Sequence, residues 1–154
     1  YINWLNDKEF NKFLSSSAYT QTQENCESYV KSFQFQNDRA LLGLFLKDTG
    51  LHIGNITLYI YDWVRSVANI GISLGRKGYS GNGFATEGLI SIRDHSFEEL
   101  KLHRLEAEVA CVNIKSLKLF LKCGFMIEGT RRSSALVQGK YINAYTMGVL
   151  NTDL

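Results

Sequence analysis

Leu74-Gly75-Arg76-Lys77-Gly78-Tyr79-Ser80-Gly81-Asn82-Gly83-Phe84-Ala85-Thr86-Glu87 joins a strand pattern to a helix pattern through a glycine-dense loop. Upstream, Val67 to Leu74 reads as a strand, with Gly71 inside it marking a bulge or a close backbone approach. Downstream, Ala85, Leu89, Ile92 and Leu100 fall within one arc of a helix reaching about Leu100. A strand that opens a helix through such a loop can aim the backbone N–H groups of residues 81 to 86 at one spot. The helix start adds partial positive charge there, which suits a pyrophosphate. Gly81 and Gly83 let the backbone approach closely and take positive φ.

Two familiar anion loops fail on these residues. A phosphate-binding loop of the Walker type needs Lys and then Ser or Thr after its last glycine, and Phe84 and Ala85 stand there instead. A dinucleotide fingerprint is met only as Gly81-x-Gly83-x-x-Thr86, and it lies mid-chain rather than in a leading βαβ unit. A plain strand–helix connection is a further alternative, but it does not require this glycine density.

Working upstream, His52 to Tyr61 alternates, with Ile56, Leu58 and Ile60 facing one way and Asn55, Thr57, Tyr59 and Tyr61 the other. Asp48-Thr49-Gly50 is turn chemistry, and the apolar run Ala40 to Lys47 before it predicts a buried strand paired in a hairpin. Two helices precede these strands. One is expected over Asp7 to Leu14, capped by Asp7, and one over Thr22 to Phe33, where Thr22 with Asn25 falls short of a full capping box.

Working downstream, His103 to Val112 is a strand with Leu105, Ala107, Val109 and Cys111 on one face and Arg104, Glu106, Glu108 and Ala110 on the other. Asn113 caps a short helix to Lys122, Gly124 suits its C′ position, and Phe125 supplies the hydrophobic contact that follows. Met126 to Ser134 and Tyr141 to Leu150 close the chain as strands. The order α-α-β-β-β-α-β-α-β-β makes a mixed α/β layer with no internal linker, hence one domain over residues 1–154.

Composition narrows the function. A formal charge of +2 does not announce a nucleic-acid partner, so anion recognition must be local. Cys26, Cys111 and Cys123 share no CxxC spacing, which argues against a disulfide framework or a metal site and for a reducing, cytoplasmic setting. No apolar run approaches the roughly 20 residues that span a bilayer, so no membrane partner is expected. The chain begins at Tyr1 without an initiator Met, leaving room for a short natural N-terminal segment. A homodimer is compatible with the sequence, which does not itself indicate one.

The second motif is Asn113-Ile114-Lys115-Ser116-Leu117-Lys118-Leu119-Phe120-Leu121-Lys122-Cys123-Gly124-Phe125. It resembles the N-x-x-S-x-x-(L/Y)-x-x-K-x-G-F motif of the GNAT superfamily of N-acetyltransferases. Gly83 and Ala85 likewise fit the last two positions of that family's Q/R-x-x-G-x-G/A loop. With Leu102-His103-Arg104-Leu105, the chain from about Trp4 to Leu150 is similar to the ribosomal-protein N-acetyltransferase-like branch, which also holds small-amine acetyltransferases.

The resemblance implies a central mixed sheet flanked by helices and splayed between the strands ending near Leu74 and Val112. It implies acetyl-coenzyme A as co-substrate, no metal, and a primary amine as acceptor, either a protein N-terminus or a small molecule. Gly81, Asn82, Gly83, Phe84, Ala85 and Thr86 would hold the pyrophosphate, and the strand edge at Ile72 and Leu74 would pair with the pantetheine arm. Asn113 and Ser116 would contact the arm and the sulfur, and Lys122, with Lys115 and Lys118, the phosphates of the adenosine end.

Two departures from the family stand out. Ser80 occupies the Gln/Arg position of the loop, where a grip by backbone N–H groups tolerates the change. Phe120 sits at or next to the place of a tyrosine that protonates the leaving thiolate, and a phenyl ring donates no proton. Ser116 is the remaining candidate acid. The base is open as well. Asn69 stands where relatives carry Glu, leaving Glu108 and Glu106 on the next strand as candidates, with His52, His95 and His103 behind them. Tyr141 and Tyr145 are candidates for lining an acceptor site. An acyl-CoA-binding sensor without turnover is the alternative that these departures keep open.

Overall fold

Alternating apolar residues decide which side of the sheet becomes the core. A computed structural model describes residues 1–14 and 20–153. Six strands form one sheet: β1 (Arg39–Phe45), β2 (His52–Asp62), β3 (Val67–Leu74), β4 (Arg104–Ala110), β5 (Met126–Val137) and β6 (Lys140–Leu150). Their spatial order is β1-β2-β3-β4-β6-β5, antiparallel except for the parallel β3–β4 pair. Ile56, Leu58 and Ile60 of β2 and Leu105, Ala107 and Val109 of β4 enter one core, as their alternation predicts. Two helices cover that face: α4 (Phe84–Glu98) contributes Leu89 and Phe97, and α5 (Ile114–Lys122) contributes Phe120. Arg93 of α4 donates to the Cys123 carbonyl at the end of α5 (2.8 Å), which ties the two together.

Among the described residues, three short α-helices precede the sheet: α1 (Ile2–Leu5), α2 (Lys8–Asn11) and α3 (Gln23–Lys31). Asp7 caps α2, accepting from the N–H groups of Glu9 and Phe10. The expected helix to Leu14 is only the short α2, while α1 lies ahead of it. Thr22 does cap α3, its hydroxyl accepting from the Asn25 N–H at 3.2 Å without the reciprocal Glu or Gln of a capping box.

The apolar run at 40–47 does not become a buried strand. β1 stops at Phe45 and is one of the sheet's two outer strands, with Leu42 and Phe45 exposed. A continuous apolar run reads alike for a central and an edge strand, and only tertiary neighbours separate them. Gly71 carries no bulge. It pairs in register with Thr57, and a side chain added at Gly71 would crowd the Thr57 hydroxyl, so the glycine serves close approach. The bulge of this hairpin lies in β2, where the register passes from Ile60↔Ala68 to Asp62↔Val67 and leaves Tyr61 as the extra residue. β5 and β6 run longer than expected and meet at Gln138-Gly139, both with positive φ, as a two-residue primed turn requires.

Candidate active site

β3 and β4 pair over only three steps: Val67↔Arg104, Ala68↔Leu105 and Asn69↔Glu106. Beyond these, β3 stays bonded to β2 as far as Leu74↔Gly54, and β4 to β6 as far as Ala110↔Ala144. The strands therefore part like a V, with Asn69 and Glu106 at its fork. The inner edge of β3 from Ile70 onward has no strand partner, and Ile72 and Leu74 on it are half-buried. Such an edge offers alternate N–H and C=O groups to an extended ligand.

At the open end of the V the glycine loop turns into α4. Gly78, Gly81 and Gly83 all hold φ near +90°. Gly83 is the N-cap of α4 and no side chain caps this helix, so the N–H groups of Phe84, Ala85 and Thr86 face outward with the positive end of the helix dipole. The Asn82 side-chain amide donates to the Gly78 carbonyl at 3.1 Å and closes the loop on itself. The loop's entry is fixed from α1. The Trp4 ring lies on Gly75 so closely that any side chain there would overlap it, and Lys77 pairs with Asp7 at 2.8 Å. Arg76 donates to the His52 carbonyl.

At the end of β4, Asn113 Oδ1 accepts from the Ser116 N–H at 3.3 Å and caps α5. The Asn113 carboxamide N–H groups and the half-buried Ser116 hydroxyl have no recorded partner among the described residues. α5 ends as its sequence predicts. The Phe125 N–H reaches the Phe120 carbonyl, the Gly124 N–H reaches that of Leu121, Gly124 has φ +91°, and the Phe120 and Phe125 rings meet edge to face at 5.0 Å. Phe120, 3% exposed, is thus a core residue of this helix stop. Lys122 lies in the last turn of α5, at the opposite end from Asn113 and Ser116, and Lys115, Lys118 and Lys122 are all exposed.

The acidic candidates separate. Glu108 is drawn toward β5, where Arg131 and the Ser134 hydroxyl hold its two oxygens. Glu106 leans the other way, accepting from the Tyr61 hydroxyl of β2 at 2.6 Å and from Arg104 Nε at 2.7 Å. Arg104 also clasps Glu128 of β5 across Gly148, where a side chain would collide with the pair. Burial pushes the Glu106 carboxyl up, but the Tyr61 hydroxyl and the Arg104 guanidinium outweigh it and hold the group below its ordinary value. Burial and that same hydrogen bond push the Tyr61 phenol up to about 12.

The other candidates stand apart from the fork. His52 is stacked on Phe45 and meets Trp4 at a tilt, its Nε2 within 2.8 Å of Asn55 Oδ1. His95 and His103 are exposed. Tyr145 packs on the core face, opposite Glu106 and Glu108, while Tyr141 is exposed near the turn. Sequence reasoning missed the Tyr61–Glu106–Arg104–Glu128 chain. Alternation had put Tyr61 and Glu106 on outward faces, but the bulge and the strand order that join them are not written in either strand. Among the described residues, no group of three or more His, Cys, Asp or Glu is placed to hold a metal ion.

The sequence matches the acetyltransferase (GNAT) domain family over residues 1–126. This chain belongs to the GNAT acetyltransferase family. Its members are acetyl-CoA-dependent acyltransferases, and the splayed sheet seen here is the fold they share. The chain is 29% identical to the uncharacterized N-acetyltransferase p20 of Bacillus licheniformis, over 97% of this chain and 85% of that one. It is 26% identical to the spermidine N(1)-acetyltransferase of Vibrio cholerae, again covering 97% of this chain and 85% of the relative. A crystal structure of spermidine N-acetyltransferase from Vibrio cholerae, in complex with CoA and spermine, superposes with a TM-score of 0.88 at 22% identity. That match covers 99% of this chain and 88% of the other and shows the fold. These relatives thus include a spermidine N(1)-acetyltransferase, and none of them is named as a member of the ribosomal-protein branch.

Proposed function

We propose that residues 1–154 act as one domain that transfers the acetyl group of acetyl-CoA to a primary amine of a small molecule, with polyamines the first class to try. The reading rests on one observation: β3 and β4 part at Asn69 and Glu106, between an uncapped, glycine-led helix start and an Asn-capped one. The similarity to spermidine acetyltransferases supports a small amine over a protein N-terminus. Three cysteines without disulfides among the described residues support a reducing, cytoplasmic setting.

In this reading the pyrophosphate lies on the N–H groups of Gly81, Asn82, Gly83, Phe84, Ala85 and Thr86. The pantetheine arm runs down the free edge of β3 past Ile72 and Leu74, and Asn113 holds it from the other side through its free amide N–H. Lys122, with Lys115 and Lys118, serves the phosphates of the adenosine end. The amine lone pair attacks the thioester carbon, a backbone N–H of β3 steadies the oxyanion, and the C–S bond breaks. Ser116 donates to the departing sulfur. CoA thiolate is a good enough leaving group that alignment supplies much of the rate, so Phe120 in place of a tyrosine does not abolish transfer. Glu108, the other carboxylate of β4, is held by Arg131 and Ser134 toward β5.

The test is release of free thiol from acetyl-CoA with a panel of spermidine, spermine, an amino sugar and a peptide with a free N-terminus. Turnover led by the polyamines supports the proposal. Turnover with the peptide alone would move the chain to the protein-acetylating class, and tight acetyl-CoA binding with no turnover on any amine would favour the sensor.

A further inference from the structure

Resting on the acetyl-transfer reading, we propose that Glu106 is the residue that meets the incoming amine and takes its proton, and that Tyr61 is its positioning partner. The geometry separates Glu106 from every other carboxylate of the sheet. It is the last β4 residue paired with β3, so it stands where the V closes. A cofactor arm entering from the glycine loop must bring its thioester toward that end, because its phosphates stay at the start of α4.

The lean of the side chain matters as much as its place. Tyr61 belongs to β2, and β3 lies between β2 and β4. The Tyr61–Glu106 hydrogen bond therefore crosses over β3 beside Asn69, at the end where the V closes. Tyr61 reaches it because it is the extra residue of the β2 bulge, a device that re-aims a side chain. Arg104 grips the other oxygen of Glu106 and is itself anchored on Glu128 over Gly148. Glu108, by contrast, is turned toward β5 and away from the fork. Asn69, next to Glu106 in register, has no proton-accepting group.

A carboxylate held anionic in this way is too weak a base to deprotonate a free ammonium. It suffices for the step after attack. When the amine nitrogen has bonded to the carbonyl carbon it carries a positive charge and is more acidic than the free ammonium. One N–H proton passes to a Glu106 oxygen, which has a lone pair left beside its existing hydrogen bond, and from there to solvent. The C–S bond breaks with its electron pair on sulfur, leaving amide and CoA thiolate, which accepts a hydrogen bond from the Ser116 hydroxyl and takes its proton from water.

The experiment uses the full chain with acetyl-CoA and the best amine of the panel, comparing wild type with Glu106→Gln, Glu106→Ala and Tyr61→Phe. Calorimetric Kd for acetyl-CoA and thermal unfolding are read alongside kcat. Glu106→Gln should lower kcat about 100-fold, the scale of a lost proton-transfer group, and leave acetyl-CoA affinity within about twofold. Tyr61→Phe should cost about fivefold, since it removes one of the two groups that orient the carboxylate. Added formate should restore part of kcat to Glu106→Ala, an effect that a structural role would not give. Near-wild-type kcat in Glu106→Gln, or a fall in acetyl-CoA affinity that matches the fall in kcat, overturns the assignment. If wild type binds acetyl-CoA but acetylates no amine, the transfer reading fails first and takes this one with it.

Discussion

Single residues carry two kinds of information in this chain, conformational and electrostatic. Gly83 holds φ +89° with open space around the position of an added Cβ, so Gly83→Ala meets no clash and costs backbone energy alone. About 1–2 kcal/mol of stability should be lost in urea denaturation, with a clearly weaker acetyl-CoA Kd because the α4 N–H groups are re-aimed. An unchanged Kd would separate that glycine from the cofactor. Glu106 gives the electrostatic case. Its folded-state pKa lies below the ordinary 4.5, so the unfolded chain binds more protons in that range. Its contribution to stability is complete above pH 4.5 and is lost as pH falls through the lowered native value. Glu106→Gln should remove that part of the acid sensitivity, seen as unfolding midpoints of mutant and wild type that converge on acidification. Parallel curves would show that the carboxylate is not held by Tyr61 and Arg104 in solution.

At the scale of elements, ends were more legible than middles. Asp7, Thr22 and Asn113 cap the helices that follow them, and Gly124-Phe125 stops α5, because capping depends on residues a few places apart. Asn113→Ala should cost about 1 kcal/mol of stability and weaken acetyl-CoA further than the cap alone explains, since in the proposed reading Asn113 serves both helix and arm. Equal stability with unchanged binding would contradict both roles. The β5–β6 turn gives an independent check. Gln138 holds φ +50° in a position that Asn favours, so Gln138→Asn should raise stability by about 0.5 kcal/mol in urea titration. Destabilisation would mean that the turn is of another type. The fate of the 40–47 run and the bulge at Tyr61 were not legible. Edge position and register are properties of a strand's partners, and no local pattern encodes them.

The whole molecule is a sheet opened on one side by two motifs that are far apart in sequence. Alternation and the strand–glycine–helix joint made the mixed α/β sheet legible in the sequence, while its splay was expected from the family resemblance that the two motifs carry. The surroundings of Glu106 were less legible: Tyr61 of β2 reaches Glu106 across β3, and Glu128 of β5 anchors the Arg104 that holds it, contacts that depend on the strand order β1-β2-β3-β4-β6-β5. With a formal charge of only +2, the proposed grip on a polyanionic cofactor rests on local groups, chiefly oriented N–H groups at the mouth of the V. The most direct test is a calorimetric titration with acetyl-CoA, with NADH and ATP as controls. The account predicts one site per chain with a Kd of about 10 μM or tighter for acetyl-CoA and at least tenfold weaker binding of either control. No heat with acetyl-CoA, or equal binding of all three, would contradict it and leave the glycine loop a site for anions in general.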